Sequence, residues 1–193
     1  MPQKTLITKP LDIQHILDHA LVLAEHSSWE NLQLTALANS LNFSVVQLAR
    51  LVKQKDELAD AWFDRADEAM LSTELAGADT AADKLELAIR SWLNALVPYP
   101  RLTRQMLYYK LEPGHVHLQA AALLRISRTV QWLRELTGLK ASGSARVTQE
   151  LALSGLFVSI FIGWLHDTSP AQTASLKRLK FALATLNKLG LCR

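Results

Sequence analysis

Leu37-Ala38-Asn39-Ser40-Leu41-Asn42-Phe43-Ser44-Val45-Val46-Gln47-Leu48 is the stretch whose reading decides the fold. Leu37, Ala38 and Leu41 recur at helical spacing before a break, and Val45 and Leu48 resume it afterwards. Asn42 suits the left-handed turn that ends a helix, because its short polar side chain tolerates positive φ. Ser44 suits the N-cap of the helix that follows. Ala38 is small where two helices would cross, and Phe43 and Leu48 are apolar where the pair would seat on a core. The pattern predicts two short helices, at about 33–41 and 44–51, around a tight turn. In a helix-turn-helix of this kind the second helix lies in the DNA major groove and presents side chains to base edges.

Outward from this unit, helical period continues in both directions. Upstream, Ile13, Ile16, Leu17, Ala20 and Leu21 form the apolar stripe of a first helix over 12–25, led in by Pro10. Downstream, Asp56 and Glu57 open a fourth helix, where the dipole favours acids, and it is expected to reach about Leu75. Ala76-Gly77-Ala78-Asp79-Thr80 reads as a break between a head (1–75) and a body (76–193). Five further helices are expected over about 82–97, 101–110, 115–136, 145–166 and 170–190. Pro98-Tyr99-Pro100, Glu112-Pro113-Gly114 and Thr137–Ser144 separate them. Ser169 and Pro170 are expected as N-cap and first residue of the last. Phe157–Ile162 has strand-like composition, but it lies within a long run without turn chemistry, so length favours a helix. The fold class is all-α, with about nine helices.

The chain of 193 residues carries 49% hydrophobic and 20% charged residues, an ordinary globular balance. The formal charge of +3 is unevenly spread. Residues 1–75 hold six Lys and Arg against eleven Asp and Glu; the remainder holds fifteen against seven. The excess positive charge therefore lies outside the helix-turn-helix. One cysteine, Cys192, excludes an intrachain disulfide and a cysteine metal site, and suits a reducing cytoplasm. The N-terminus lacks the apolar core of a secretory leader. The most apolar run, Leu151–Leu165, would span roughly 22 Å as a helix, short of a bilayer core of roughly 30 Å, and reads as a buried helix rather than a membrane span.

The head resembles the TetR family. The resemblance rests on Ile16-Leu17-Asp18-His19-Ala20-Leu21, Ser28-Trp29, Leu37-Ala38, Asn42-Phe43-Ser44 and Lys53-Gln54-Lys55-Asp56-Glu57-Leu58, over about residues 11–60. It implies a TetR-like fold, a DNA operator as partner, a homodimer and a small apolar ligand in the body. The DNA-contact candidates are Ser44, Val45, Gln47, Arg50, Lys53 and Lys55. Gln47 suits an adenine edge and Arg50 a guanine or a phosphate. Lys53 and Lys55 suit phosphates. The chain departs from the family where a Lys and a small residue usually follow the turn serine; here stand Val45 and Val46. Ala49, Arg50 and Leu51 replace an aromatic pair and a histidine.

A second resemblance covers about 146–184. Trp164-Leu165-His166-Asp167-Thr168-Ser169-Pro170 is similar to a junction in a TetR-like, lipid-binding accessory family of ubiquinone biosynthesis. It implies the alternative of a lipid carrier that binds no DNA.

In the body, Trp92, Leu96, Met106, Tyr108, Leu124, Trp132 and Phe157 are candidate walls of an apolar ligand pocket. Gly155, Ser159 and Gly163 form a small-residue stripe on helix eight. Leu176, Leu179, Leu183 and Leu186 form a seam on helix nine. Both are candidates for a dimer interface. No cofactor, metal or catalytic site is expected. His15 and His19 lie four apart without the Glu of a zinc-protease helix, His115 and His117 lack further ligands, and no phosphate loop or nucleophile elbow occurs.

Overall fold

The computed structural model describes residues 12–112 and 116–192, so Pro10 and the turn residues Pro113 and Gly114 lie outside it, as does His115. Among the described residues there are nine α-helices, one 3-10 turn and no strand. Two compact units divide between Phe63 and Asp64.

The first unit contains α1 (Ile13–Glu25), α2 (Leu34–Ser40), α3 (Val45–Leu51) and the first half of α4 (Lys55–Leu71). Asp12 caps α1 by accepting from His15 N at 2.9 Å. Ile16, Leu17, Ala20, Leu21 and Ala24 on α1, Trp29 in the turn after it, Leu37 and Ala38 on α2, Leu48 on α3 and Leu58, Ala59 and Trp62 on α4 are all buried. This is the small apolar core that the sequence pattern predicts for the head.

The second unit starts inside α4, where the sequence reading set the boundary in the loop from Ala76. The second half of α4 is bound to the body by side-chain bonds. Asp67 is buried and accepts from Trp92 Nε1 (2.8 Å) on α5 (Ala81–Leu96) and from Thr129 Oγ1 (3.0 Å) on α7 (Val116–Thr137). Arg125 bridges Asp64 (2.8 Å) and Asp67 (3.3 Å). Desolvation raises the Asp67 carboxyl above its ordinary range, against the lowering influence of Trp92, Thr129 and the two arginines Arg125 and Arg128. α4 ends at Leu71 rather than near Leu75. Thr80 and Asp83 form a capping box that starts α5. Pro100 stands at the first position of α6 (Pro100–Leu111), so the second proline of Pro98-Tyr99-Pro100 begins a helix instead of extending the break.

The body core is aromatic. Trp92 meets Phe157 and Phe161 of α8 (Gly143–Leu165) edge-to-face, with ring centroids 4.9 and 5.0 Å apart. α5 packs on α8 and on α9 (Thr173–Lys188), which contributes Leu179 and Leu183. α8 has 23 residues and is longer than the apolar run alone indicates. It is the one described helix whose length and composition suffice to cross a membrane. Its Leu153, Leu156, Phe157, Ile160, Phe161 and Trp164 are instead buried in the body. Arg134, buried on α7, donates to Gln149 Oε1 (2.9 Å), Glu150 Oε1 (3.0 Å) and Ala141 O (3.1 Å), which fixes the α7–α8 turn.

Ser169-Pro170 opens a 3-10 turn, Pro170–Gln172, and α9 begins only at Thr173. The cause is a polar junction. Asp167 accepts from the backbone and hydroxyl of both Ser169 (2.9 and 2.6 Å) and Ser175 (2.7 and 2.6 Å), while Trp164 Nε1 donates to Gln172 Oε1 at 2.6 Å. Ala171 and Gln172 are held at φ 52° and 54°, a left-handed conformation that costs roughly 1–2 kcal/mol per non-glycine residue. The hydrogen bonds from Ser169 and then Ser175 hold the Asp167 carboxyl well below the usual carboxylate range.

Candidate nucleic-acid interface

α2 and α3 are joined through Leu41–Ser44. Asn42 sits at φ 55°, and Phe43 N donates to Ala38 O at 2.8 Å, which closes the end of α2. Ser44 then caps α3 in a reciprocal box. Its hydroxyl accepts from Gln47 N at 3.2 Å. Gln47 Oε1 accepts from Ser44 N at 2.8 Å and from Ser44 Oγ at 3.0 Å. Val52 N donates to Leu48 O (2.8 Å) and ends the helix.

Leu48 and Val52 are buried, so α3 seats one side on the head core. The other side is open. Val45 (50% exposed), Val46 (64%), Ala49 and Arg50 are spaced along one outward face, and Lys53 follows just beyond the helix, also exposed. This is the geometry of a short helix held by its inner face and offered by its outer face.

Of the six DNA-contact candidates, Ser44, Val45, Gln47 and Arg50 lie on or beside α3 as expected, but two are committed to the cap. Both lone pairs of the Gln47 carbonyl oxygen are occupied by Ser44, so its amide presents only N–H donors. Gln47 suits an adenine edge by its sequence; with that oxygen engaged in the capping box, its amide N–H is the group that remains for adenine N7. Lys55 also departs from expectation. Its ammonium donates to Trp29 O (3.0 Å) and Glu30 O (2.9 Å), closing the turn after α1. Two residues on, Glu57 accepts from Lys53 N (3.0 Å), and Leu58 is buried. The Lys-Asp-Glu-Leu stretch is thus a clamp that joins α4 to the α1–α2 turn. Arg50 and Lys53 remain as exposed cations.

No protein-family model and no curated protein sequence matches the chain. Solved structures do. The crystal structure of a TetR transcriptional regulator from Nitrosomonas europaea ATCC 19718 aligns with a TM-score of 0.80 at 36% sequence identity, covering 91% of this chain and 98% of that one. The chain belongs to the TetR family of transcriptional regulators. A TetR transcriptional regulator from Rhodococcus sp. RHA1 shares the fold, with a TM-score of 0.66 at 16% identity over 89% of this chain and 92% of that one. Neither structure supports the lipid-accessory alternative.

In the body of this TetR regulator the seven pocket candidates do not converge. Trp92, Leu96, Met106 and Phe157 are buried. Leu124 is 72% exposed, and Tyr108 and Trp132 are each about half exposed. These three are therefore not walls of the same enclosed apolar space. The Tyr108 hydroxyl instead lies 3.2 Å from His166 Nε2. Leu124 and Trp132 both lie on parts of α7 that are open to solvent.

The dimer candidates divide in the same way. Leu179 and Leu183 are buried against the chain's own helices, so they are not available to a second protomer; Leu176 and Leu186 are half-buried. A Cβ on Gly163 would meet the Arg178 guanidinium at 3.3 Å, so this glycine faces α9 of the same chain. Gly155 and Ser159 are exposed, and a Cβ on Gly155 would meet nothing within 4 Å. The sequence reading missed the large residues that extend this stripe. Val147, Leu151 and Ile162 on α8 and Phe181 on α9, the last 76% exposed, are all open. Val147, Leu151, Gly155 and Ser159 recur every four residues, which is the signal that identifies the face.

Proposed function

We propose that this TetR regulator acts in the cytoplasm as a homodimer, reading a near-palindromic DNA operator with one α3 per half-site. A small apolar ligand in the body relieves or establishes that binding by favouring one of two conformations. The observation that carries the reading is the α2–turn–α3 unit, with Leu48 and Val52 inward and Val45, Val46, Ala49 and Arg50 outward. The apolar stripe on α8 with Phe181 supports the homodimer, because a symmetric partner covers such a face with the same face.

Footprinting on the DNA flanking the protein's own gene tests the reading. Two protected half-sites are expected, with centres about 10–10.5 base pairs or a multiple apart. A body that carries a lipid while the head protects no DNA would overturn it.

A further inference from the structure

The outward face of α3 has an unusual chemistry for a surface that reads bases. It offers three apolar side chains, Val45, Val46 and Ala49, and one cation, Arg50. The polar groups beside it are already committed. Ser44 donates its hydroxyl proton to Gln47 Oε1, and that oxygen is saturated by Ser44. Gln47 Oε1 is thereby withheld from adenine N6 and cytosine N4, and Ser44 Oγ, which already donates one bond and accepts another, keeps a single lone pair. The groups best placed to meet base edges by hydrogen bonding, the Gln47 amide N–H groups and the Arg50 guanidinium, are both donors.

The major groove offers one apolar feature, the C5-methyl group of thymine. We propose that Val45 and Val46 are specificity-determining residues that read thymine methyl groups in each half-site. Arg50 and the Gln47 amide add donors to guanine or thymine acceptors. This inference rests on the DNA-reading role given above. Two features of α3 favour it over mere tolerance of valine at these positions. Both valines are exposed by half or more, although their burial would have stabilised the head. The capping box holds α3 so that they stay outward. A β-branched side chain has a restricted χ1 in a helix, so it presents its methyl groups as a rigid surface at little entropic cost.

The test begins with an operator selected from a synthetic, unmethylated duplex pool, which restricts the methyl source to thymine. Thymines in the half-site are then replaced one at a time by deoxyuridine, which deletes the methyl and keeps every hydrogen-bonding group. Removing a contacted methyl is expected to weaken binding of the full-length protein about three- to five-fold, the scale of one buried methyl group. Replacing the same T·A pair by 5-methyl-C·G is expected to bind better than C·G. Val45→Ala with Val46→Ala is expected to bind thymine and deoxyuridine duplexes alike, with circular dichroism confirming the fold. Equal binding of thymine and deoxyuridine at every half-site position by the wild-type protein overturns the inference and leaves DNA reading intact. If no duplex is enriched at low salt, both the inference and the reading it rests on fall.

Discussion

Replacing Lys55 by Met should destabilise the head without changing how the protein senses salt, and replacing Lys53 by Met should do the reverse. The Lys55 ammonium holds Trp29 O and Glu30 O at 3.0 and 2.9 Å. Bonds from a charged donor contribute about 1.5–3 kcal/mol each where water is excluded. Lys55 is half-buried and loses rotamer freedom when fixed, so about 1–3 kcal/mol for the pair is the reasonable sum. That corresponds to roughly 5- to 150-fold faster opening of the head, which hydrogen exchange reads in the α2 and α3 amides. Urea titration read on the buried head tryptophans, Trp29 and Trp62, should show the same loss. Lys53 is exposed and only its backbone N–H is engaged in the clamp, with Glu57. Losing one phosphate contact per protomer makes log K shallower in log salt by about 0.9 per protomer, or roughly 1.8 for a dimer. Lys53→Met should show that change with unaltered exchange. If Lys55→Met instead leaves exchange untouched and flattens the salt dependence, the clamp assignment is wrong and Lys55 is a phosphate contact.

Asp67→Ala deprives the Trp92 N–H and the Thr129 hydroxyl of a buried acceptor and should cost roughly 2–5 kcal/mol in denaturant titration, whereas Asp67→Asn, which keeps an acceptor, should cost markedly less. Asp167 has a folded-state carboxyl held well below 3.8, so its contribution to stability is present above that pH and is lost as the pH falls below it. Asp167→Asn should therefore show a smaller fall in Tm between pH 5 and pH 3 than the wild type, and an identical fall would contradict the assignment. Gly155 is exposed and a Cβ there meets no other part of the chain within 4 Å, so Gly155→Leu should retain the fold; light scattering should report a shift from dimer to monomer mass.

The helix-turn-helix was legible because its signals are local. Asn42 at a left-handed turn, Ser44 at a cap and the apolar positions Leu37, Ala38 and Leu48, all buried, act within a few residues of chain. What the sequence could not disclose was where each polar group is committed. Gln47 and Lys55 are ordinary DNA-contact residue types. Only the structure shows one closing a capping box and the other bonded to carbonyls 25 and 26 residues away. The body shows the same limit. Helical period places Leu124 with Trp132 and Leu179 with Leu183 on common faces, but it does not say which face turns inward. Asp67 and Arg134 gave no signal, because their partners on α5, α7 and α8 come from distant parts of the chain or from across a turn. The late start of α9 follows from Asp167, which competes for the backbone that a proline-led helix would have used.

The claim on which the rest depends is that the outward face of α3 reads duplex DNA. Fluorescence anisotropy of a labelled duplex from the region upstream of the protein's gene, titrated with full-length protein across a salt series, measures it. Log K is expected to fall linearly with log salt, and Arg50→Ala to weaken binding of the dimer by about 30-fold or more, since a base contact of about 1–3 kcal/mol is lost in each of two half-sites. Binding that ignores salt, or an Arg50→Ala protein that binds as the wild type does, would contradict it.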